Sequence, residues 1–260
     1  MQGTGARFKD KVVIVTGAAG DIGRETTRRF AAEGATVAAV DYQAERVRAL
    51  ATELQQEGMQ VIALEADVSR EEDVERYVEM TCSDFGGVDI LFNNAGVEGE
   101  AGDISECDLA DFDRVMGVNV RGVLLGMKYV VPVMRTRGGG AIVNTASVAG
   151  ISGASLISSY CASKHAVIGL TRSVAMQQGP NNIRVNAVCP AAMTGRMMTS
   201  IENKMSPGDA DTVRDAVLGT IPIGRYARPG DIASMVTHLC SDEASFLNGG
   251  AYPVDGGATA

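Results

Sequence analysis

From one end of the chain to the other, short apolar runs alternate with longer stretches whose apolar residues recur at helical spacing. That alternation is the pattern of βαβ units on a parallel sheet. It predicts strands at Val12–Val15, Thr36–Val40, Val61–Leu64, Ile90–Phe92, Ala141–Thr145, Arg184–Val188 and Ala251–Val254. Between the second and third of these, Val47, Leu50, Ala51 and Leu54 form an i, i+3, i+4, i+7 stripe, so that helix covers one sheet face and Gly58 stops it. Ser69-Arg-Glu-Glu72 matches a capping box and predicts the start of the next helix. No repeat, low-complexity tract or Pro/Gly/Ser linker divides the chain, so residues 1–260 read as one domain. One stretch, about 190–225, breaks the rhythm. It is rich in Met, Gly and Pro, shows little helical periodicity, and is long for a connection, which predicts a mobile lid bracketed by Pro190, Gly195, Pro207, Gly208 and Gly219.

Composition narrows the partners. With 45% hydrophobic and 21% charged residues and no apolar run of about 18, the chain reads as globular, with no membrane span. The opening MQGTGARFKD has no hydrophobic signal region. Five cysteines, odd in number, scattered and without C-x-x-C spacing, predict free thiols in a reducing compartment, hence a cytoplasmic protein. A net charge of −9 repels phosphate polyanions, which argues against nucleic acid and acidic carrier proteins as partners. His165 and His238 are the only histidines and neither has a second ligand at metal spacing, so no metal is expected.

Two motifs carry chemistry. The first strand runs into TGAAGDIG, Thr16 to Gly23, and then into a helix near Asp21. Such a turn is either a plain strand-to-helix connection or a pyrophosphate cradle, in which backbone N–H groups and the helix dipole face the anion. Asp41 ends the second strand, 24 residues after Gly17, where a carboxylate accepts both hydroxyls of an adenosine ribose. The second motif is YCASK, Tyr160 to Lys164, which puts a phenol and an ammonium on one helical face. Alone it reads equally as a half-buried helix with a snorkelling lysine.

Taken together these motifs resemble the short-chain dehydrogenase/reductase family over nearly the whole chain. TGAAGDIG is similar to its TG-x-x-x-G-x-G turn, Asp67-Val68 to its acid and apolar pair beside adenine, and Asn93-Asn94-Ala95-Gly96 to its NNAG. Asn119, Ser147, and Tyr160 with Lys164 match its catalytic positions. Pro190 and Thr194 match a P-G-x-x-x-T stretch with Ala191 in place of glycine, and Val254-Asp-Gly-Gly257 matches a terminal VDGG. One departure stands out: Asp21 occupies the place of the middle glycine, and is expected to turn its side chain away from the pyrophosphate.

The resemblance implies a Rossmann-like, doubly wound parallel sheet of about seven strands with helices on both faces, and a homotetramer. The helix of Tyr160 offers Ala162, Ala166 and Gly169 on a face where a partner helix can approach. The resemblance implies NAD as cofactor, held by Gly17, Asp21, Ile22, Gly23, Asp41, Asp67, Val68, Asn94, Ala95, Gly96, Tyr160, Lys164, Pro190, Met193 and Thr194. The acid at Asp41, with no Arg or Lys among Tyr42-Gln43-Ala44, selects against the 2′-phosphate of NADP, Arg46 being the one nearby base.

A free tyrosine is a poor base at neutral pH, but the positive Lys164 is expected to pull the phenol of Tyr160 down by about 2 to 3 units, toward working range. Ser147 would hold the substrate oxygen, although Ser152, Ser155, Ser158 and Ser159 lie close in sequence. Asn119 would hold, by its backbone carbonyl, a water linking Lys164 to solvent. Cys161 has no evident base and reads as packing. The substrate pocket falls to Val97, Glu98, Val148, Ala149, Ile151, Leu156, Met193, Met197 and Met198, with Glu98 and Arg196 the nearby charges, and Arg196 leaves a carboxylated substrate open. An apolar, Met-rich lid suits a hydrophobic small-molecule alcohol or ketone, cyclic and aromatic skeletons included. The rival readings are a ketoacyl-carrier-protein or ketoacyl-CoA reductase, an enoyl reductase with wider Tyr–Lys spacing, and a non-catalytic dinucleotide sensor.

Overall fold

The computed structural model describes residues 6–206 and 208–260. In chain order it runs β1 (Val12–Thr16), α1 (Asp21–Ala32), β2 (Thr36–Asp41), α2 (Ala44–Gln56), β3 (Val61–Glu65), α3 (Glu71–Phe85), β4 (Ile90–Asn93), α4 (Leu109–Met116), α5 (Gly122–Thr136) and β5 (Gly140–Thr145). It continues with α6 (Ser158–Gln178), β6 (Ile183–Pro190), α7 (Arg196–Met205), α8 (Ala210–Gly219), α9 (Pro229–Cys240) and β7 (Ala251–Val254). All seven strands stand within a residue or two of the positions the apolar runs predict. They pair in parallel in the order β3-β2-β1-β4-β5-β6-β7. The direction of winding reverses between β1 and β4, which opens a crevice at their carboxyl ends.

Parallel strands covered on both faces read as continuous apolar runs, and VVIVT of β1 is buried throughout. One face packs against Val74 and Tyr77 of α3, Val130 and Met134 of α5, and Val167 and Ile168 of α6. The other packs against Phe30 of α1, Val47, Leu50 and Leu54 of α2, and Ile232 and Val236 of α9. The sheet is therefore doubly wound. The Val47–Leu54 stripe is fully buried, and Gly58, past the end of α2, takes the left-handed conformation at φ 83°.

Two local expectations are corrected. The capping box at Ser69 does not form: α3 starts at Glu71 without a side-chain cap, and Ser69 instead donates from N (2.9 Å) and Oγ (2.7 Å) to Asp67 Oδ1. Asp67 wins because its Asx turn takes the Ser69 N–H that Glu72 would accept in the box and holds the Ser69 hydroxyl away from α3. The stretch 190–225 is not irregular but holds α7 and α8. Met197, Met198, Ile201 and Met205 share a helical spacing that the polar residues between them obscure. Pro207 lies outside the described residues. The helix carrying Asn119 is interrupted by a π-helical turn, Gly117–Arg121, between α4 and α5. Such turns re-aim a side chain that a regular helix would leave on its ladder.

Candidate active site

The glycines of the first turn are there for space. Gly17 has φ 63°, and a Cβ on it would lie 2.8 Å from Ala95 Cα; a Cβ on Gly23 would lie 2.1 Å from Gly17 O. The turn can close only without side chains at these two positions. Gly20 caps α1 with no side chain, so the N–H groups of Asp21, Ile22 and Gly23 are its open first-turn donors. Asn94 fastens the crevice: its N–H donates to Thr16 Oγ1 (2.9 Å), its Nδ2 to Thr16 O (3.1 Å) and Gly17 O (3.2 Å), and its Oδ1 accepts from Thr145 Oγ1.

Asp41 is buried at the edge of this turn. Its Oδ2 accepts Ala19 N–H and its Oδ1 accepts Gln43 N–H, both at 2.9 Å. Each oxygen keeps a lone pair for a further donor. The N-cap of α2 is Gln43, not Asp41, and Arg46 is tied to Gln43 Oε1 at 3.0 Å. Beside it a cleft of about 580 Å³ is lined by Tyr42, Ala66, Asp67 and Arg70 among others. Val68 is buried against Gly122, where a Cβ would meet its Cγ2 at 2.8 Å. A dinucleotide fits these features: a cradle that side chains would fill, open donors for a pyrophosphate, and a buried acid for a ribose.

Lys164, Ser147, Asn119 and Tyr160 converge at the end of β5. Lys164 is buried and donates from Nζ to Thr145 O at 2.7 Å. Its Nζ lies 5.4 Å from the centre of the Tyr160 ring and 3.5 Å from where a Cβ on Gly96 would stand. Asn119 is fully buried; its carboxamide accepts Val97 N–H (2.8 Å) and donates to Val97 O (2.9 Å) and to Ser163 Oγ (3.0 Å). That two-point clamp fixes the chain from Gly96 to Glu98. Ser147, two residues past β5, accepts Ala149 N–H (3.2 Å) and directs its own hydroxyl at Pro190 O (3.4 Å), a weak bond it can exchange.

The electrostatics differ from the expectation. Burial pushes the Tyr160 phenol up to about 12; the nearby Ser147 hydroxyl opposes this and the Glu98 carboxylate adds to it. Burial likewise brings Lys164 down to about 8. Lys164 is thus not permanently charged, and its pull on the phenol does not overcome desolvation in the cofactor-free site. The Cys161 thiol donates to Ala149 O at 3.0 Å; His165 Nδ1 is 3.8 Å away but is itself bonded to Cys161 O at 2.9 Å. The thiol is therefore a helix-to-loop contact.

Helix α7 is tied to the loop after β4 through residues that sequence patterns do not mark. Ser200 donates to Glu98 Oε1 at 2.8 Å, and Lys204 Nζ donates to Gly99 O (2.9 Å) and Glu100 Oε1 (3.0 Å). At the other end of α7, Asp21 Oδ2 accepts Arg196 N–H at 3.2 Å and lies 2.3 Å from where a Cβ on Gly195 would stand. The acid that replaces a family glycine therefore turns to the start of α7. Glu202 is 1% exposed and accepts Tyr226 OH (2.8 Å) and Arg214 Nη2 (3.0 Å), joining α7, α8 and the segment before α9. No spacing rule singles out Ser200, Glu202 or Lys204, because their partners are 12 to 105 residues away.

Met193 bridges to Ala227, and Thr194 donates its N–H to Ala227 O at 2.9 Å. Met197 and Met198 are half-buried. Ala149 is buried behind Ser147, and Leu156, 41% exposed with φ 66°, stands at the rim. Arg196 is exposed, which leaves Glu98 as the pocket carboxylate that acts on the phenol alongside Lys164.

Fold, glycine turn and tetrad define an oxidoreductase of the short-chain type, and comparison with known proteins agrees. A family model described as enoyl-(acyl carrier protein) reductase matches residues 17–259. Levodione reductase of Leifsonia aquatica is 40% identical over 98% of this chain and 96% of its own; a crystal structure of a levodione reductase, 40% identical, superposes with a TM-score of 0.94, covering 96% of this chain and 98% of that one. Meso-2,3-butanediol dehydrogenase of Serratia marcescens is 39% identical over 98% of this chain and 96% of its own. The structure of NAD+-bound xylitol dehydrogenase is 35% identical with a TM-score of 0.91, covering 96% of this chain and 99% of that one. The chain belongs to the short-chain dehydrogenase/reductase family.

Proposed function

We propose that the chain is an NAD-dependent oxidoreductase that interconverts a secondary alcohol and a ketone on a hydrophobic small molecule, working as one dinucleotide-binding domain with α7 and α8 as its lid. The observation that carries this reading is one loop. Residues 94–98 touch the glycine turn at Ala95 and Lys164 at Gly96, so the cradle and the phenol–ammonium pair open on one crevice. The relatives named levodione reductase and meso-2,3-butanediol dehydrogenase support it.

When bound, NAD supplies the hydride acceptor. Asp41 takes the adenosine ribose hydroxyls, the open N–H groups of α1 take the pyrophosphate, and the cleft beside Asp67 takes adenine. Ser147 turns its hydroxyl from Pro190 O to the substrate oxygen. Tyr160 exchanges the proton of that oxygen, and Lys164, released from Thr145 O, steadies the phenolate and holds ribose hydroxyls. Asn119 fixes Gly96–Glu98 with its side chain, and its backbone carbonyl in the π-helical turn holds the water that leads the proton out.

The test is NAD reduction with a panel of secondary alcohols at alkaline pH. Tyr160→Phe removes roughly 10²–10⁴-fold of kcat, the usual share of a general base, while NADH binding by fluorescence is retained. Survival of more than about a tenth of kcat removes Tyr160 from the role. The working protein is a cytoplasmic homotetramer in this reading: Ala162 and Gly169 on α6 are exposed and small, fit for a second α6. No helix among the described residues is long and apolar enough to cross a membrane. Light scattering that reports a monomer at micromolar concentration contradicts the assembly.

A further inference from the structure

Glu98 is the one feature of the crevice that a plain hydrophobic alcohol leaves unexplained. The Asn119 clamp on Val97 fixes its backbone, and Gly96, two residues earlier, faces Lys164 Nζ and Asn119 Oδ1. It is half-buried, with its side chain 22% exposed. The loop that carries it lines the Lys164–Asn119 side of the crevice, and its charge adds to the upward shift of the Tyr160 phenol. Ser200 occupies Oε1, and Lys204 stays 3.8 Å from that oxygen because its hydrogen bonds go to Gly99 O and Glu100. Among the described residues Oε2 receives no hydrogen bond. With the side chain partly open to solvent, an incoming hydroxyl can replace water at Oε2 and donate to a charged acceptor.

Three kinds of substituent can meet it. A carboxylate or a second carbonyl brings only lone pairs and is repelled. An ammonium is attracted by Glu98 but meets Lys164 and the positive charge of the oxidised cofactor in the same crevice. A hydroxyl donates one hydrogen bond to Oε2 and adds no charge.

We infer that Glu98 selects a substrate with two hydroxyls, so that the chain oxidises a diol to a hydroxyketone. This rests on the alcohol dehydrogenase reading above and names its substrate class. The reacting carbinol loses its C–H as hydride to NAD and its O–H proton to Tyr160, giving the ketone, NADH and a protonated phenol. The second hydroxyl keeps all its bonds and donates to Glu98 Oε2. Glu98 is a specificity-determining residue, and the same carboxylate, through Ser200, brings α7 down over the bound diol.

The experiment measures kcat/KM with NAD for cyclohexanol and for the 1,2-, 1,3- and 1,4-cyclohexanediols, in the unmodified chain, Glu98→Ala and Glu98→Gln. Folding is checked by thermal melting and by NADH titration. The expected result is that at least one diol exceeds cyclohexanol by about tenfold or more, the scale of a hydrogen bond to a charged acceptor. Glu98→Ala brings that ratio to within about threefold of unity, and Glu98→Gln, which keeps volume but not charge, lowers it by at least about threefold. A merely structural role in seating the lid lowers both substrates together and leaves the ratio in place. No diol preference in the unmodified chain, or a preference that survives both substitutions, overturns the inference while cyclohexanol turnover still upholds the reading beneath it. Failure of every alcohol and diol to reduce NAD overturns both.

Discussion

The sharpest prediction concerns the choice between NAD and NADP, and it turns on Asp41. Its two oxygens are anchored by Ala19 N–H and Gln43 N–H at 2.9 Å, so the carboxylate cannot swing away from a 2′-phosphate. At a separation of about 5 Å and an effective dielectric of about 20, each unit of phosphate charge costs roughly 3 kcal/mol. Arg46, held by Gln43 Oε1 on the surface, can turn to the phosphate and recover about 1 kcal/mol, the range of an exposed ion pair. The preference for NAD is therefore about 2 kcal/mol or more, roughly thirtyfold in kcat/KM. Asp41→Asn narrows it chiefly by improving NADP. The same substitution sets an amide NH2 against one of the two backbone donors and lowers stability by about 1.5–3 kcal/mol, the worth of one charge-assisted bond. The assay is kcat/KM for both cofactors with one alcohol, alongside urea unfolding. Equal values for NAD and NADP in the unmodified enzyme, or a ratio that Asp41→Asn leaves untouched, refutes the argument.

Other consequences follow from the lid and the buried pair. Asp21→Gly frees the N-terminus of α7, so amide exchange in 196–205 quickens in the cofactor-free protein while the sheet is unchanged; exchange that does not move shows that the bond to Arg196 N–H holds nothing. Glu202→Gln leaves Tyr226 and Arg214 without their carboxylate and lowers Tm by about 3–8 °C, read by calorimetry, with unaltered melting as the contrary result. Lys164 titrates near 8 in the folded chain against 10.5 when free, so between those values the unfolded chain binds the extra proton and stability rises with pH. Lys164→Met, measured beside the unmodified protein, isolates the slope from other groups: the unmodified protein gains up to about 3 kcal/mol on the variant from pH 8 to 10.5. A gap constant with pH contradicts the burial argument.

How far the sequence reaches depends on whether a feature is local. Strands buried on both faces must be apolar throughout, and so all seven show; the TGAAGDIG turn shows because Gly17 and Gly23 answer to backbone crowding within a few residues. The direction of the Asp21 side chain also followed from chemistry, since a carboxylate has no reason to face a pyrophosphate. What was hidden is what the fold brings together from afar. The Asn119 clamp needs a π-helical turn to meet Val97, 22 residues back, and the latch of α7 needs Glu98 and Ser200, 102 residues apart. Charge was the least legible property of all. YCASK places an ammonium beside a phenol, which by itself argues for an easier phenolate; the fold then buries Lys164 and half-buries Tyr160, and desolvation reverses the sign. Burial thus favours the neutral phenol of Tyr160, and the Lys164 ammonium is tied to Thr145 O at 2.7 Å. The two contacts of α7, at Asp21 beside the glycine turn and at Glu98 in the loop after β4, join residues 175 and 102 positions apart, beyond the reach of any local pattern.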